Sequence, residues 1–213
     1  MILIEPKYEI LSIHPDSLHL IEFAGRTCYK SEHWITDESS KEFASMIMKM
    51  GHLSVIEHAS MSVRFTCDRG VSHELVRHRL ASFSQESTRY CNYKGGVTFI
   101  IPPWVGIDKG NYEFSFTEPT QNEASWLWYN SMLEAEQAYK DLLSLKWTPQ
   151  QARSVLPNSL KTEIIMSANL REWLHVFKLR TAKAAHPQMR ELMIPLLEEV
   201  KILIPIIFDG ITY

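Results

Sequence analysis

The sequence predicts one α+β domain over residues 1–213, and three observations carry that expectation. Stretches with helical apolar spacing are interleaved with short alternating or wholly apolar runs. A chain of 213 residues, 45% hydrophobic and 22% charged, supports one sizeable core without needing a second domain. No internal repeat, low-complexity linker or heptad run divides it.

Ile2, Ile4, Ile10 and Leu11 suggest one or two short strands in residues 1–13, punctuated by Pro6. From Asp16, Leu18, Leu20, Ile21 and Ala24 keep helical spacing and deliver Arg26, Cys28, Tyr29 and Ser31 at the helix end. A second helix, from about Ser40 to Met50, has Phe43, Met46, Ile47 and Met50 on one face and stops at Gly51. After the polar segment Gly51–His58, Met61, Val63, Phe65 and Cys67 alternate as a strand. Val71, Leu75 and Val76 then share one side of a helix whose end presents the next arginines. Gly95-Gly96 make a turn before an apolar strand, Val97–Ile101, ended by Pro102-Pro103.

Residues 104–117 look like loop, and the longest helix follows from about Pro119 to Leu145 on Ala124, Leu127, Trp128, Met132, Ala135 and Leu142. Thr148-Pro149 starts a short helix through Ala152, Arg153 and Val155 that Pro157 closes. Ile164–Met166 is a strand or buried segment. In 169–180, Leu170, Trp173, Leu174 and Phe177 point inward while Arg171 and His175 share a polar edge. A final helix runs from about Pro187 to Ile204.

The most polar stretch is 77–89, which packs three arginines, a histidine, three serines, a threonine, a glutamine and a glutamate into thirteen residues. Arginine forks with clustered hydroxyls suit phosphate or carboxylate; the alternative is a solvated helix end and loop. A net charge of −3 weighs against a general nucleic-acid binder, so the basic character is local. An RNA-binding module stacking bases on Tyr90 and Tyr93 is the non-enzymatic alternative. His73-Glu74-Leu75-Val76-Arg77-His78 misses the zinc pattern H-E-x-x-H by one position, because histidines five apart lie roughly 140° apart on a helix, and no metal is expected. Cys28, Cys67 and Cys91 are odd in number and scattered, which suits reduced thiols. The start lacks the pattern of a signal peptide, and Glu198, Glu199 and Lys201 interrupt the apolar C-terminal stretch, so a cytoplasmic protein with no membrane span is expected.

Arg77-His78-Arg79, seven residues, then Ser87, Thr88, Arg89 and Tyr90 resembles the signature of the flavin-dependent thymidylate synthases. Supporting blocks stand in the same order: Ala24–Tyr29, Gly51-His52 to Glu57-His58, Ala152–Pro157, Asn169-x-Arg171 and Leu179-Arg180. The resemblance implies a central, largely antiparallel sheet flanked by helices, and a homotetramer with flavin adenine dinucleotide (FAD) bound where subunits meet. It also implies reductive methylation of deoxyuridine monophosphate (dUMP), with methylene-tetrahydrofolate as carbon donor, NADPH as reductant and no cysteine nucleophile. The competing cysteine-dependent synthases show a proline-cysteine-histidine setting that none of the three cysteines here has.

By that resemblance Ser87, Arg89 and Arg153 contact the dUMP phosphate with the backbone around Thr88, and Glu74, Arg77, Gln85 and Glu86 complete the nucleotide side. Arg180 meets the uracil and is the foremost catalytic residue, with His52 and Ser87 beside it. Arg77, His78, Arg79, Ser84 and Gln85 match flavin-contacting positions, and His52, Ser54, Asn169, Arg171 and His175 match flavin or folate positions. Glu74 and Gln85 stand where other members have glutamine and glutamate, Cys28 where serine is frequent, and His175 where asparagine is common.

Overall fold

The computed structural model describes residues 1–113 and 120–213, and its strands fall into two sheets. In chain order the elements are β1 (Ile2–Ile4), β2 (Lys7–Ile13), α1 (Ser17–Thr27), α2 (Ser39–Met50), β3 (Ser60–Asp68), α3 (Arg69–Leu75) and β4 (Ala81–Gln85). They continue with β5 (Thr98–Ile100), β6 (Gly110–Asn111), α4 (Glu123–Ser144), α5 (Pro149–Ala152), β7 (Lys161–Asn169), α6 (Leu170–Arg180) and α7 (Pro187–Leu203). Short 3-10 turns cover Glu32–Trp34, Leu53–His58 and Arg153–Val155. The expected α+β class with antiparallel sheet and flanking helices holds, but the strands divide between a three-stranded sheet, β5-β1-β6, and a four-stranded one, β2-β3-β7-β4.

Two strands depart from the sequence reading. β4 lies inside the stretch read as an anion site or a polar loop: Ala81 and Phe83 alternate with Ser82 and Ser84, but a five-residue run with two apolar residues does not stand out between arginine-rich flanks. β6 interrupts the loop expected from residue 104; the part of that loop at 114–117, and Pro119 of the expected helix, lie outside the described residues.

By compactness the chain makes two units: Met1–Lys7, Phe65–Val76 and Ser84–Ile164 form the first, and Tyr8–Arg64, Arg77–Phe83 and Ile165–Tyr213 the second. In the first, β1 pairs parallel with β5, Leu3 opposite Phe99, and antiparallel with β6, Leu3 opposite Gly110. The parallel pair joins strands far apart in sequence, which no local pattern announces. Leu3, Val97, Phe99 and Ile101 pack in one core with Tyr129, Met132, Leu133 and Tyr139 of α4.

The buried seam of α4 is Ser125, Tyr129, Met132, Leu133, Glu136 and Tyr139; of the apolar set expected from the sequence Met132 lies in it and Trp128, Ala135 and Leu142 pack half-buried against the core, while Ala124 and Leu127 are left exposed. Tyrosine and glutamate go inside because partners await them. Glu136 Oε2 lies 2.9 Å from the Met1 ammonium, while Oε1 accepts the Val97 N–H at 2.8 Å and the Lys140 ammonium at 3.2 Å. Burial works to raise the Glu136 pKa; the Val97 N–H and the two cations outweigh it and hold the carboxyl below the ordinary range.

The second unit is built on helices crossing closely. Gly25 of α1 allows the approach of α2, since a Cβ there would stand 2.4 Å from Phe43 Cζ. Gly51, at φ +71°, caps α2 where the sequence predicts its stop. α6 buries Trp173 and Phe177 as expected, and Trp173 donates its indole N–H to the Met61 carbonyl at 2.9 Å. Phe177 meets Trp173 and Phe208 edge or tilted, at 5.5 and 5.4 Å between ring centroids. β3 and β7 run antiparallel there: Ser62 and Ser167 hydroxyls are 2.7 Å apart, and the Leu170 N–H reaches the Ala59 carbonyl at 2.9 Å. Among the described residues, no helix is long and apolar enough to cross a membrane.

Replacing Glu136 by alanine strands the Met1 ammonium and the Val97 N–H, so urea unfolding at pH 7 should show a loss of about 3 kcal/mol. Because the folded pKa of Glu136 is depressed, this stabilisation is present above its unfolded pKa and disappears as pH falls through the folded value. Parent and Glu136→Ala stabilities should therefore converge in acid.

Candidate functional site

In the first unit, the 3-10 turn Arg153–Val155 and the loop that follows β4 carry the candidate phosphate ligands. Asp68 caps α3 by accepting the Val71 N–H at 2.6 Å, which fixes the helix start beside Arg69. Gln85, the last residue of β4, donates to Ser72 Oγ at 2.8 Å and to Thr162 Oγ1 at 3.2 Å. The chain then turns through Ser87, whose carbonyl accepts from the Tyr90 and Cys91 N–H groups at 3.1 and 2.9 Å. Arg153 Nη1 donates to Thr88 Oγ1 at 2.9 Å, bringing α5 and its turn to this loop. Arg89 is exposed, its guanidinium 5.4 Å from the centre of the Tyr90 ring.

Glu86 is engaged within the chain: Oε1 accepts the Tyr93 hydroxyl at 2.7 Å, Oε2 accepts Lys161 Nζ at 3.0 Å, and its N–H donates to the Glu163 carbonyl at 2.9 Å. Burial and then the bond to Glu86 push the Tyr93 phenol up, so it remains a donor. Lys161 also reaches Glu163 at 3.0 Å, and these carboxylates outweigh the burial that would lower its pKa. The sequence reading missed Lys161, an ordinary residue of a strand, and named Tyr93 only as a stacking surface in the RNA-binding alternative. Glu74 is half-buried on α3 and Ser84 is exposed on β4.

In the second unit, α6 carries Arg171, His175 and Arg180, with Asn169 as its cap: Asn169 Oδ1 accepts the Glu172 N–H at 2.9 Å. Arg171 and His175 are exposed, and Arg171 pairs with Glu57 at 2.5 Å. Arg77 and Arg79 are exposed on either side of His78, whose side chain is 4% exposed. Arg180 donates its Nε–H to His78 Nε2 at 3.0 Å. Burial foremost, then the charges of Arg180 and His175, lower the His78 pKa to about 4, so the ring is neutral at pH 7.

His78 Nδ1 faces Glu172 Oε1 at 3.3 Å, a residue with no part in the sequence-derived site. Its signal is present but weak: Glu172 lies on α6 between the two arginine blocks, eight residues before Arg180. His78, Glu172 and His175 hold ligand atoms within 4.8 Å of one another, a spacing that suits a metal. The Arg180 Nε–H already occupies His78 Nε2, and an ion there would stand beside a permanent guanidinium cation, which opposes it.

His52 and Ser54 are exposed beyond the Gly51 cap and help line a cavity of about 600 Å³ with Arg26, Tyr29, Trp34, Met46 and Met50. Met46 and Met50, expected to lie on the buried face of α2, instead form this wall and are 44% and 59% exposed. Arg26 is held by fully buried Glu22 at 2.9 Å, and its guanidinium lies 5.0 Å from the Phe43 ring centre and 5.7 Å from that of Trp34. Glu22 in turn accepts the Ser39 hydroxyl at 2.7 Å. The cavity can therefore present a fixed cation beside aromatic faces.

The chain is similar to known proteins over most of its length. A family model described as thymidylate synthase complementing protein matches residues 9–206. A flavin-dependent thymidylate synthase of Geobacter sulfurreducens is 34% identical over 210 residues, 95% of this chain and 85% of that protein. Those of Mycobacterium marinum and Mycobacterium tuberculosis are also 34% identical, over 194 and 197 residues, covering 89% of this chain and 77% of each. Among solved structures, the UMP/dUMP methylase PolB of Streptomyces cacaoi bound with 5-Br dUMP shares the fold at a TM-score of 0.79, with 22% identity over 98% of this chain and 96% of that one. The matched length, the arginine signature and the shared fold leave one conclusion: the chain belongs to the flavin-dependent thymidylate synthase family, enzymes that are methyltransferases.

Proposed function

We propose that this enzyme methylates dUMP reductively to dTMP with FAD as cofactor, methylene-tetrahydrofolate as carbon donor and NADPH as reductant, as a cytoplasmic homotetramer of one-domain subunits. The observation that carries the reading is the presence of two kinds of arginine, each within its own unit. Arg153 and Arg89 border a hydroxyl-rich turn, and Arg180 is held rigidly against a neutral buried histidine. The substrate named for PolB, a dUMP analogue, agrees with the nucleotide assignment.

On this reading Arg89 and Arg153 take the phosphate by charge-assisted hydrogen bonds, with the Ser87 hydroxyl and the Thr88 backbone as further donors. Glu86, clamped by Tyr93 and Lys161, keeps the turn in shape while Glu74, Arg77 and Gln85 border the nucleotide. Arg180 stabilises negative charge as it develops on the uracil, a contribution that rises toward the transition state. Cavity size and lining support flavin binding: Tyr29, Trp34, Met46 and Met50 suit a planar ring, and Arg26 and His52 suit anionic or carbonyl oxygens. His52, Ser54, Arg77, His78, Arg79, Ser84, Asn169, Arg171 and His175 complete the flavin and folate contacts. When bound, the flavin would supply the redox chemistry of the reaction, held by the residues named above. A thiolate is not required. Burial foremost, with the Asp68 charge, drives the Cys67 thiol far above its ordinary pKa and leaves it a poor nucleophile.

The deciding experiment measures the visible spectrum of the purified protein, its mass by light scattering, and NADPH oxidation with and without dUMP and the folate. A yellow tetramer that forms dTMP, with UMP as the control nucleotide, is expected; protein that takes up no flavin on reconstitution overturns the reading. Arg89→Ala and Arg153→Ala should each weaken dUMP binding by about 1.5–3 kcal/mol with little change in flavin content, read by titrating dUMP into oxidised enzyme. Alanine at Cys28, Cys67 or Cys91 should leave measurable turnover in flavin-loaded protein, and abolition by any one of them would make that thiol essential.

A further inference from the structure

Glu172 is 7% exposed, on the first turn of α6, and its carboxylate is directed at His78 rather than at solvent. A buried carboxylate is costly unless it is paired or hydrogen-bonded, so its placement needs a reason. A neutral imidazole has one N–H and one lone pair, and the two neighbours of His78 determine which nitrogen holds which. Arg180 can only donate, and its Nε–H meets Nε2 at 3.0 Å, so Nε2 bears the lone pair. Nδ1 therefore carries the hydrogen and faces Glu172 Oε1 at 3.3 Å. Without that acceptor the ring can move its hydrogen to Nε2, and Nε2–H and Nε–H would then oppose each other as two donors.

Resting on the assignment of Arg180 to the uracil, we propose that Glu172 is a positioning residue: through His78 it selects the tautomer that receives the Arg180 Nε–H, and so sets the plane of the guanidinium. The eight residues separating Glu172 from Arg180 amount to about 12 Å of helix rise, and the imidazole spans the gap between the two long side chains. Burial, Arg180 and His175 all favour a neutral ring, the protonation state in which the relay works. The arrangement resembles in principle a carboxylate that orients a catalytic histidine, except that the group oriented here is an arginine.

The test uses holoenzyme with 15N-labelled histidine, the His78 resonances being assigned by their loss in His78→Gln. The parent should show the Nδ1–H form, and Glu172→Ala should shift toward Nε2–H. In flavin-loaded Glu172→Ala, kcat should fall about ten- to hundredfold with KM for dUMP within about threefold, as for an interaction realised in the transition state. Glu172→Gln retains an oxygen acceptor and should recover part of the lost kcat. A parent in the Nε2–H form overturns the proposal even if Glu172→Ala does not fold, and so does a flavin-loaded Glu172→Ala that turns over within about twofold of the parent. The tautomer needs no turnover, so a parent that makes no dTMP refutes the proposed reaction while the tautomer result still decides the relay.

Discussion

The bond from Arg180 to His78 imposes conditions on everything around it in the second unit. An arginine cannot shed its charge, so a buried histidine accepts its proton donor only while neutral. Neutrality follows from burial, and burial follows from packing: α6 turns Trp173 and Phe177 inward, and the Trp173 indole is tied to the Met61 carbonyl. The same helix begins at an asparagine cap, which establishes its register and hence which residues face His78. One hydrogen bond therefore draws on a cap, an aromatic core and a carboxylate.

The first unit meets the same problem of buried charge with a different solution. Glu136 keeps its charge because three donors surround it, one of them a backbone N–H that positions the segment leading into β5. Glu86 is satisfied similarly by a phenol and an ammonium. In each case the carboxylate organises neighbouring backbone, and the exposed groups nearby, Arg89 and Arg153, remain at the surface where an anion can reach them. Salt should weaken such exposed arginine contacts more than the buried ones.

The cavity follows a third rule. Its wall uses Met46 and Met50, which by helical spacing belong with Phe43 and Ile47 on the core face of α2. Periodicity identifies the apolar side of a helix but not whether a neighbouring element covers all of it. The close crossing allowed by Gly25 covers Phe43, and the thioethers further along the face are left to line a concave surface.

The sequence by itself determined most helices and the main strands, because apolar spacing, the Gly51 stop and the Pro149 start are local properties. It also marked the arginine signature, whose residue types and spacing need no fold to be recognised. Tertiary structure alone decided that the strands make two sheets with β1 parallel to β5, since strand pairing depends on contacts distant in sequence. It alone revealed β4, whose short alternation holds only two apolar residues, Ala81 and Phe83, and the inward turn of Tyr139 and Glu136 on α4. The pairing of Glu172 with His78 was likewise invisible, because a glutamate on a helix is normally a solvated residue until packing removes the water and supplies a partner.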